Sequence, residues 1–253
     1  MSGQIDSWKI RIALEEKQLQ GYKSIMIIQS DNIDKNDKFW KNNEDGIIPS
    51  LRIETITLNG VLPALLFLET SMATFSSDSS SEDKALIFER AFESLTFQRI
   101  CSEDLITNIF SLNDFNTSFF EIDQRNKHEK ALYDELIRWN EYLAQDSHDS
   151  IAHSSFNLAD MLFFPELALG VRFGLPIRDF SHLQNYYEIH SKRQSIYKTW
   201  PYHWLHTTLT YDWLANISRF NQKSLEDTSI IQDTSDKINS FVESSEETKS
   251  VDD

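Results

Sequence analysis

Cysteine, glycine, proline and positive charge are all scarce in this chain of 253 residues. A single cysteine, Cys101, excludes an internal disulfide and any C-x-x-C redox or zinc pattern. Six glycines and five prolines fall below the usual ~7% and ~5%. No glycine begins a G-x-G-x-x-G or Walker loop, so a glycine-built phosphate cradle is excluded. Sheet architectures full of tight turns are disfavoured as well, and helix should dominate. Lys and Arg total 24 against 40 Asp and Glu, a formal charge of -16. A chain this acidic repels a polyphosphate backbone, and nucleic acid is not an expected partner. The longest apolar run, Val61 to Leu68, is far short of the roughly 20 residues that span a bilayer, so no membrane partner is expected. The polar opening from Met1 to Trp8 does not read as a secretory segment. These absences describe a soluble, cytoplasmic protein whose sequons at Asn116 and Asn216 are silent.

What is present reads mostly as helix, with a mixed stretch at the front. Trp8 to Gln20 has helical spacing through Trp8 and Ile12, with Gly21 as the expected C-cap. Ser24 to Gln29 reads as a short strand and Ile33 to Glu44 as a loop or short helix. Leu51 to Ile53 and Ile56 to Leu58 read as strands around a tight turn. Val61 to Glu69 is a run of good helix formers in which Pro63 fits only the first turn. Ser76 to Asp83 is serine-rich, acidic and low in complexity, the clearest boundary in the chain. Ser79 with Glu82, or Ser80 with Asp83, offers a capping box for the helix that follows.

From Lys84 to about Arg219 nearly every segment reads as helix. Ala85, Phe88, Phe92 and Leu95 recur on one face, as do Leu132, Leu136, Trp139 and Leu143. Beyond Phe220 the pattern dissolves. Residues 221–253 hold nine acidic and three basic residues, which predicts a disordered or weakly helical tail. The expected organisation is an α/β unit at 1–75, a linker at 76–83, an all-helical domain at 84–220 and the acidic tail at 221–253.

Few segments carry candidate chemistry. In FNLAD, Asn157 can cap a helix start and Asp160 can return a bond to the cap's backbone N–H. The helix behind it, Met161 to Arg172, is almost wholly apolar and must be buried, where water cannot satisfy free N–H groups. Asn157 and Asp160 are therefore read as structural. Ile48-Pro49 lies between a loop and a strand; base rates favour a trans bond, and a cis bond would expose backbone groups to a peptide-like ligand. The seven histidines show no metal-ligand spacing on a helix, so no metal is expected, and His203 and His206 read as packing or surface residues. Cys101 has no cationic neighbour to make it a thiolate. Phe88, Phe92, Leu95 and Arg99 share a helical face, read as core packing ahead of a ligand pocket.

The order of a small α/β unit, a serine-rich linker and a helical domain resembles the cytosolic glutathione S-transferases. The resemblance is carried by SWKIRIALEEKQLQGY at 7–22, GIIPSL at 46–51, ELIRWNEYLA at 135–144, FNLADMLFFPELALGVRFGLP at 156–176 and LQNYYEIHSKRQSIYKTWPYHW at 183–204. The last three are similar to the rho class of aquatic animals, and the whole covers roughly residues 2–205. It implies a thioredoxin-like N-terminal domain that binds glutathione as co-substrate, with no separate cofactor. It also implies an all-α C-terminal domain that takes a small hydrophobic ligand, and a homodimer. In such proteins an enzyme hydroxyl holds glutathione as a thiolate that attacks an electrophilic carbon. By this resemblance Pro49 stands at the family's cis proline, Ile48 pairs through its backbone with the cysteinyl part of glutathione, and Lys35 lies where the glycine carboxylate is often contacted. Asn157 to Asp160 matches the family's capping box, with Asn157 replacing the usual Ser or Thr.

Three departures from the family's pattern bear on activity. Only Met1 to Asp6 precede Ser7-Trp8, so the family's first strand is expected to be missing, with unpaired backbone left on its neighbours. The position of the catalytic hydroxyl falls on Gln4 or Ile5, which have none; Ser7 or Ser2 would have to substitute, and Ser7 is expected to be an N-cap. The Glu/Gln-Ser pair that grips the γ-glutamyl end falls on Gly60-Val61. Losing two or three charge-assisted bonds costs about 1.5–3 kcal/mol each. The sequence therefore predicts a glutathione transferase by descent whose conjugating activity is weak or lost. The alternatives are an active detoxifying transferase and a non-catalytic binding, scaffold or structural protein on the same fold.

Overall fold

A computed structural model describes residues 2–19, 21–25, 43–71, 80–107, 119–145, 148–207 and 212–220. Helix α1 runs Ser2–Glu16. It begins six residues before the expected Trp8, because Ile5 extends the buried stripe of Trp8 and Ile12 backwards at helical spacing. Its end also differs from expectation. Gln18, three residues before Gly21, closes the helix in a left-handed conformation at φ 54°; Gly21, at φ 82°, lies in the chain beyond. Leu19 N donates to Leu14 O at 3.0 Å and Gln18 N to Glu15 O at 2.9 Å, the paired bonds of a Schellman ending.

Ser24 and Ile25 have no regular structure, and the remainder of the expected strand to Gln29 lies outside the described residues. So do most of 33–44, the first half of the linker, and the tail. Strands β1 (Ser50–Ile53) and β2 (Ile56–Asn59) form an antiparallel hairpin in the register Ser50↔Asn59 to Ile53↔Ile56. Helix α2 (Val61–Ser71) follows directly and packs Ala64, Leu65 and Leu68 inward, in contact with α1. Pro63 sits in its first turn, where a missing N–H breaks no intrahelical bond.

The rest is helical. Helix α3 (Ser81–Gln98) starts at the second of the two expected capping boxes: Asp83 N donates to Ser80 Oγ at 3.1 Å, and Ser80 N to Asp83 Oδ2 at 2.9 Å. Its buried side is Ile87, Ala91, Ser94 and Phe97. Phe92 is 49% exposed, while Phe88 is half-buried and packs against the core, so only part of the expected stripe reaches it. A π-helical stretch, Arg99–Thr107, continues α3. Helix α4 (Phe119–Gln145) buries Leu132, Leu136, Trp139 and Leu143 as its spacing predicts.

Helix α5 (Leu158–Arg172) is the centre of the molecule. It touches α1, α3 and the π-helical stretch and is buried from Leu158 to Gly170. Its start is the expected box, with Ala159 N to Asn157 Oδ1 at 2.9 Å and Asn157 N to Asp160 Oδ2 at 2.8 Å. Gly174, at φ 88°, closes the other end, and Leu175 N donates to Gly170 O at 3.0 Å. Gly170 is needed there for space, since a Cβ would lie 2.9 Å from Leu175 Cδ2. Helices α6 (Ser181–His190), α7 (Gln194–Thr199) and α8 (Tyr202–His206) complete the domain. The architecture is a thioredoxin-like mixed domain followed by an all-α domain.

Candidate functional site

The loop before β1 is set by Asn43, which is buried and bonds across it: Asn43 Nδ2 donates to Ile47 O at 2.7 Å, and Ile47 N to Asn43 Oδ1 at 3.0 Å. This presents Ile48, 41% exposed, followed by Pro49 through a cis peptide bond. The bond is thus cis, against the base rate and in line with the family's pattern. Gly60 N donates to Pro49 O at 2.8 Å, so the structure brings Ile48–Pro49 and Gly60–Val61 together. Gly60 has φ 95°, a conformation costly to any residue with a Cβ. Val61 is the first residue of α2, so the free N–H groups of that helix end meet no side-chain oxygen from either position.

The first turn of α1 carries Gln4 and Ile5. Ile5 is 3% exposed and points to the helical domain, where it helps line a cavity of about 10 Å³ with Gln98, Ser102, Ile106 and Glu166. That space holds about one water molecule. Ser7 is half-buried in the helix body, so the expected N-cap role is wrong: α1 had already begun at Ser2. Lys35 lies outside the described residues. A larger opening, of about 440 Å³, lies at the other end of α1 beside Glu16, Leu19, Arg193 and Lys198, away from all of these positions.

The sequence reading missed a buried charge cluster behind Ile5. Lys9 is wholly buried, and its ammonium reaches Glu166 Oε1 at 2.6 Å, Gln98 Oε1 at 2.9 Å and Asp6 Oδ1 at 3.1 Å. Burial pulls the Lys9 pKa down, but Glu166 and Asp6 outweigh it and the net direction is up. Ser102 also donates to Glu166. A signal was available only at Glu166, which stands in the almost wholly apolar α5, where a buried charge needs a partner; Lys9 sits among the polar residues of α1. Cys101 is buried beside them, and burial followed by the charge of Glu166 pushes its thiol well up, which leaves it unreactive.

In the helical domain Asp160 does more than cap. Its Oδ1 also accepts from Ile151 N at 2.9 Å and from the Tyr186 hydroxyl at 3.0 Å. Burial pushes its carboxyl up to about 7, against the pull of those donors. His190, 2% exposed, bonds through Nε2 to Asp149 O at 2.7 Å, and burial lowers its pKa to about 4. Among the described residues no group of three or more His, Cys, Asp and Glu side chains is placed to hold a metal ion. No described helix is long and apolar enough to cross a membrane.

Comparison with known proteins follows the same lines. No protein-family profile matches the chain. Glutathione S-transferase A of Pleuronectes platessa is 30% identical over 219 residues, covering 85% of this chain and 96% of that protein. The crystal structure of a glutathione S-transferase from the Antarctic clam Laternula elliptica superposes with a TM-score of 0.72 at 23% identity, over 85% of this chain and 95% of the other. A glutathione S-transferase from Rhodospirillum rubrum F11 superposes at 0.62 with 17% identity, over 85% and 96%. With a 30% identical relative matched along nearly its whole length, on the two-domain fold just described, the chain belongs to the glutathione S-transferase family.

Proposed function

We propose that this protein is a glutathione S-transferase relative that binds glutathione weakly and conjugates it to electrophilic hydrophobic compounds slowly or not at all. The observation that carries the reading is Gly60–Val61, held beside the cis Pro49 yet without a polar side chain for the γ-glutamyl end. The lack of a hydroxyl at Gln4 and Ile5 supports it. The backbone of Ile48 remains the glutathione contact, with Lys35 as the partner of the glycine carboxylate. Residues 1–75 are assigned as the glutathione-binding domain, 76–83 as the linker, 84–220 as the helical domain and 221–253 as an acidic tail. A cytoplasmic homodimer of rho-class descent, with a small hydrophobic ligand in the helical domain, completes the proposal. Exposed Phe92 on α3 favours burial against a second copy.

Calorimetric titration with glutathione, beside an assay with a chloronitrobenzene substrate, tests this reading. Tight binding with robust turnover would favour the alternative of an active transferase that uses Ser7. Binding without turnover would favour a non-catalytic binding or scaffold role. Restoring one lost contact is practical at Val61, whereas Gly60→Glu places a side chain at φ 95°. Val61→Ser should tighten glutathione about tenfold, the worth of roughly 1.4 kcal/mol.

A further inference from the structure

Three charges meet behind the first turn of α1. The Lys9 ammonium spends its three hydrogens on Asp6, Glu166 and Gln98. Two carboxylates therefore face one cation, and the cluster keeps one excess negative charge. Lys9 and Glu166 are buried, and Asp6 is 17% exposed, so water screens this charge poorly. Neutral groups complete the surroundings, Gln98 from α3 and Ser102 from the π-helical stretch. On that stretch Arg99 pairs with Asp104 at 2.6 Å and is 56% exposed, so it offers no compensating cation. Of the other charges of α1, Arg11 interacts with Tyr22, whose hydroxyl bonds to Glu15, and the rest lie near the far end: Arg193, just before α7, and Lys198 of α7 face Glu16 and Glu15, and Glu69 of α2 acts on Lys17 beyond the helix. The N-terminus of a helix carries roughly half a positive charge, which favours a thiolate. The excess carboxylate is larger and of opposite sign.

We propose that Glu166 is an electrostatic brake: with Asp6 it outweighs Lys9 and holds a thiol placed at the first turn of α1 in its neutral form. The inference rests on the reading that glutathione brings its sulfur to that turn. Conjugation requires the thiol to release its proton to solvent before the sulfur bonds to the electrophilic carbon and the halide departs. A brake on the first step slows the second even when glutathione is bound. Glu166 already acts in this sense on the Cys101 thiol. One charge at about 10 Å in an effective dielectric of about 20 changes a thiolate equilibrium roughly tenfold.

The test needs no bound glutathione. Gln4→Cys places a reporter thiol in the first turn of the full chain, and the buried Cys101 stays silent. Alkylation of the reporter by iodoacetamide, followed by mass spectrometry against pH, reads its thiolate fraction. Glu166→Gln should raise the alkylation rate at pH 6.5 about tenfold, and at least about threefold. Asp6→Asn, at a partly exposed position, should act in the same direction and serves if Glu166→Gln fails to fold. An unmoved or upward-shifted pH profile in the folded variants overturns the brake. Tight, low-micromolar glutathione binding by the native chain would instead count against the functional reading alone.

Discussion

Asp160 and His190 are buried ionisable groups whose pH effects on stability oppose each other. Asp160 is raised from 3.8 to about 7, so its contribution is full below about pH 4 and is lost as pH rises to 7. His190 is lowered from 6.5 to about 4, so its contribution is full above pH 6.5 and is lost as pH falls to 4. Between pH 4.5 and 6.5 the two slopes largely cancel. His190→Gln removes one of them. Relative to the native chain, its urea stability should rise by on the order of 2 kcal/mol between pH 6.5 and pH 4.5. Equal slopes for both proteins would contradict the account. Lys9 yields a second prediction. Lys9→Met strands two carboxylates and should cost about 3–5 kcal/mol in urea unfolding, whereas Lys9→Met with Glu166→Leu should recover most of that loss. Neither Lys9 nor its role was legible in the sequence, because apart from Asp6 its partners lie far away in the chain, at Gln98 and Glu166.

Local signals, by contrast, were legible at the level of single elements. The capping boxes at Ser80–Asp83 and Asn157–Asp160 need only residues three apart, and both formed where the sequence placed them. Asn157→Ala should therefore cost about 1–2 kcal/mol of thermal stability, since a buried helix end loses its acceptor. The hairpin strands, the first-turn Pro63 and the buried stripe of α4 were legible for the same reason. What failed depended on neighbours. The burial of α3 turns on where α5 lies, and so Phe92 faces outward although its spacing matches a core stripe. The end of α1 was misplaced because Gln18, three residues before Gly21, already closes the helix in a left-handed conformation. Gln18→Gly should stabilise the chain by about 0.5–1 kcal/mol, read as a higher urea midpoint. A lower midpoint would show that the Gln18 side chain holds contacts that offset the strain.

At the scale of the molecule, segments that were separate in the sequence converge on α1. Trp8, from the front, donates through Nε1 to Thr199 Oγ1 at 3.0 Å and packs edge-on against Trp200 and Trp204. Arg193 grips Glu16 with Nε and Nη2 at 2.6 and 2.8 Å. The two family-like ends of the chain are thus one packed unit, and the mixed domain is held firmly to the helical one. On the proposed reading, the glutathione-gripping positions carry Gly60 and Val61. The sequence suggests this assignment because the family's pattern is positional, but the bond that seats Gly60 against Pro49 and the backbone angle that resists repair by Glu became visible only in three dimensions. Calorimetric titration of the full chain with glutathione tests the central claim most directly. Weak binding, with Kd above about 1 mM, is the predicted result; a Kd in the low micromolar range would contradict it.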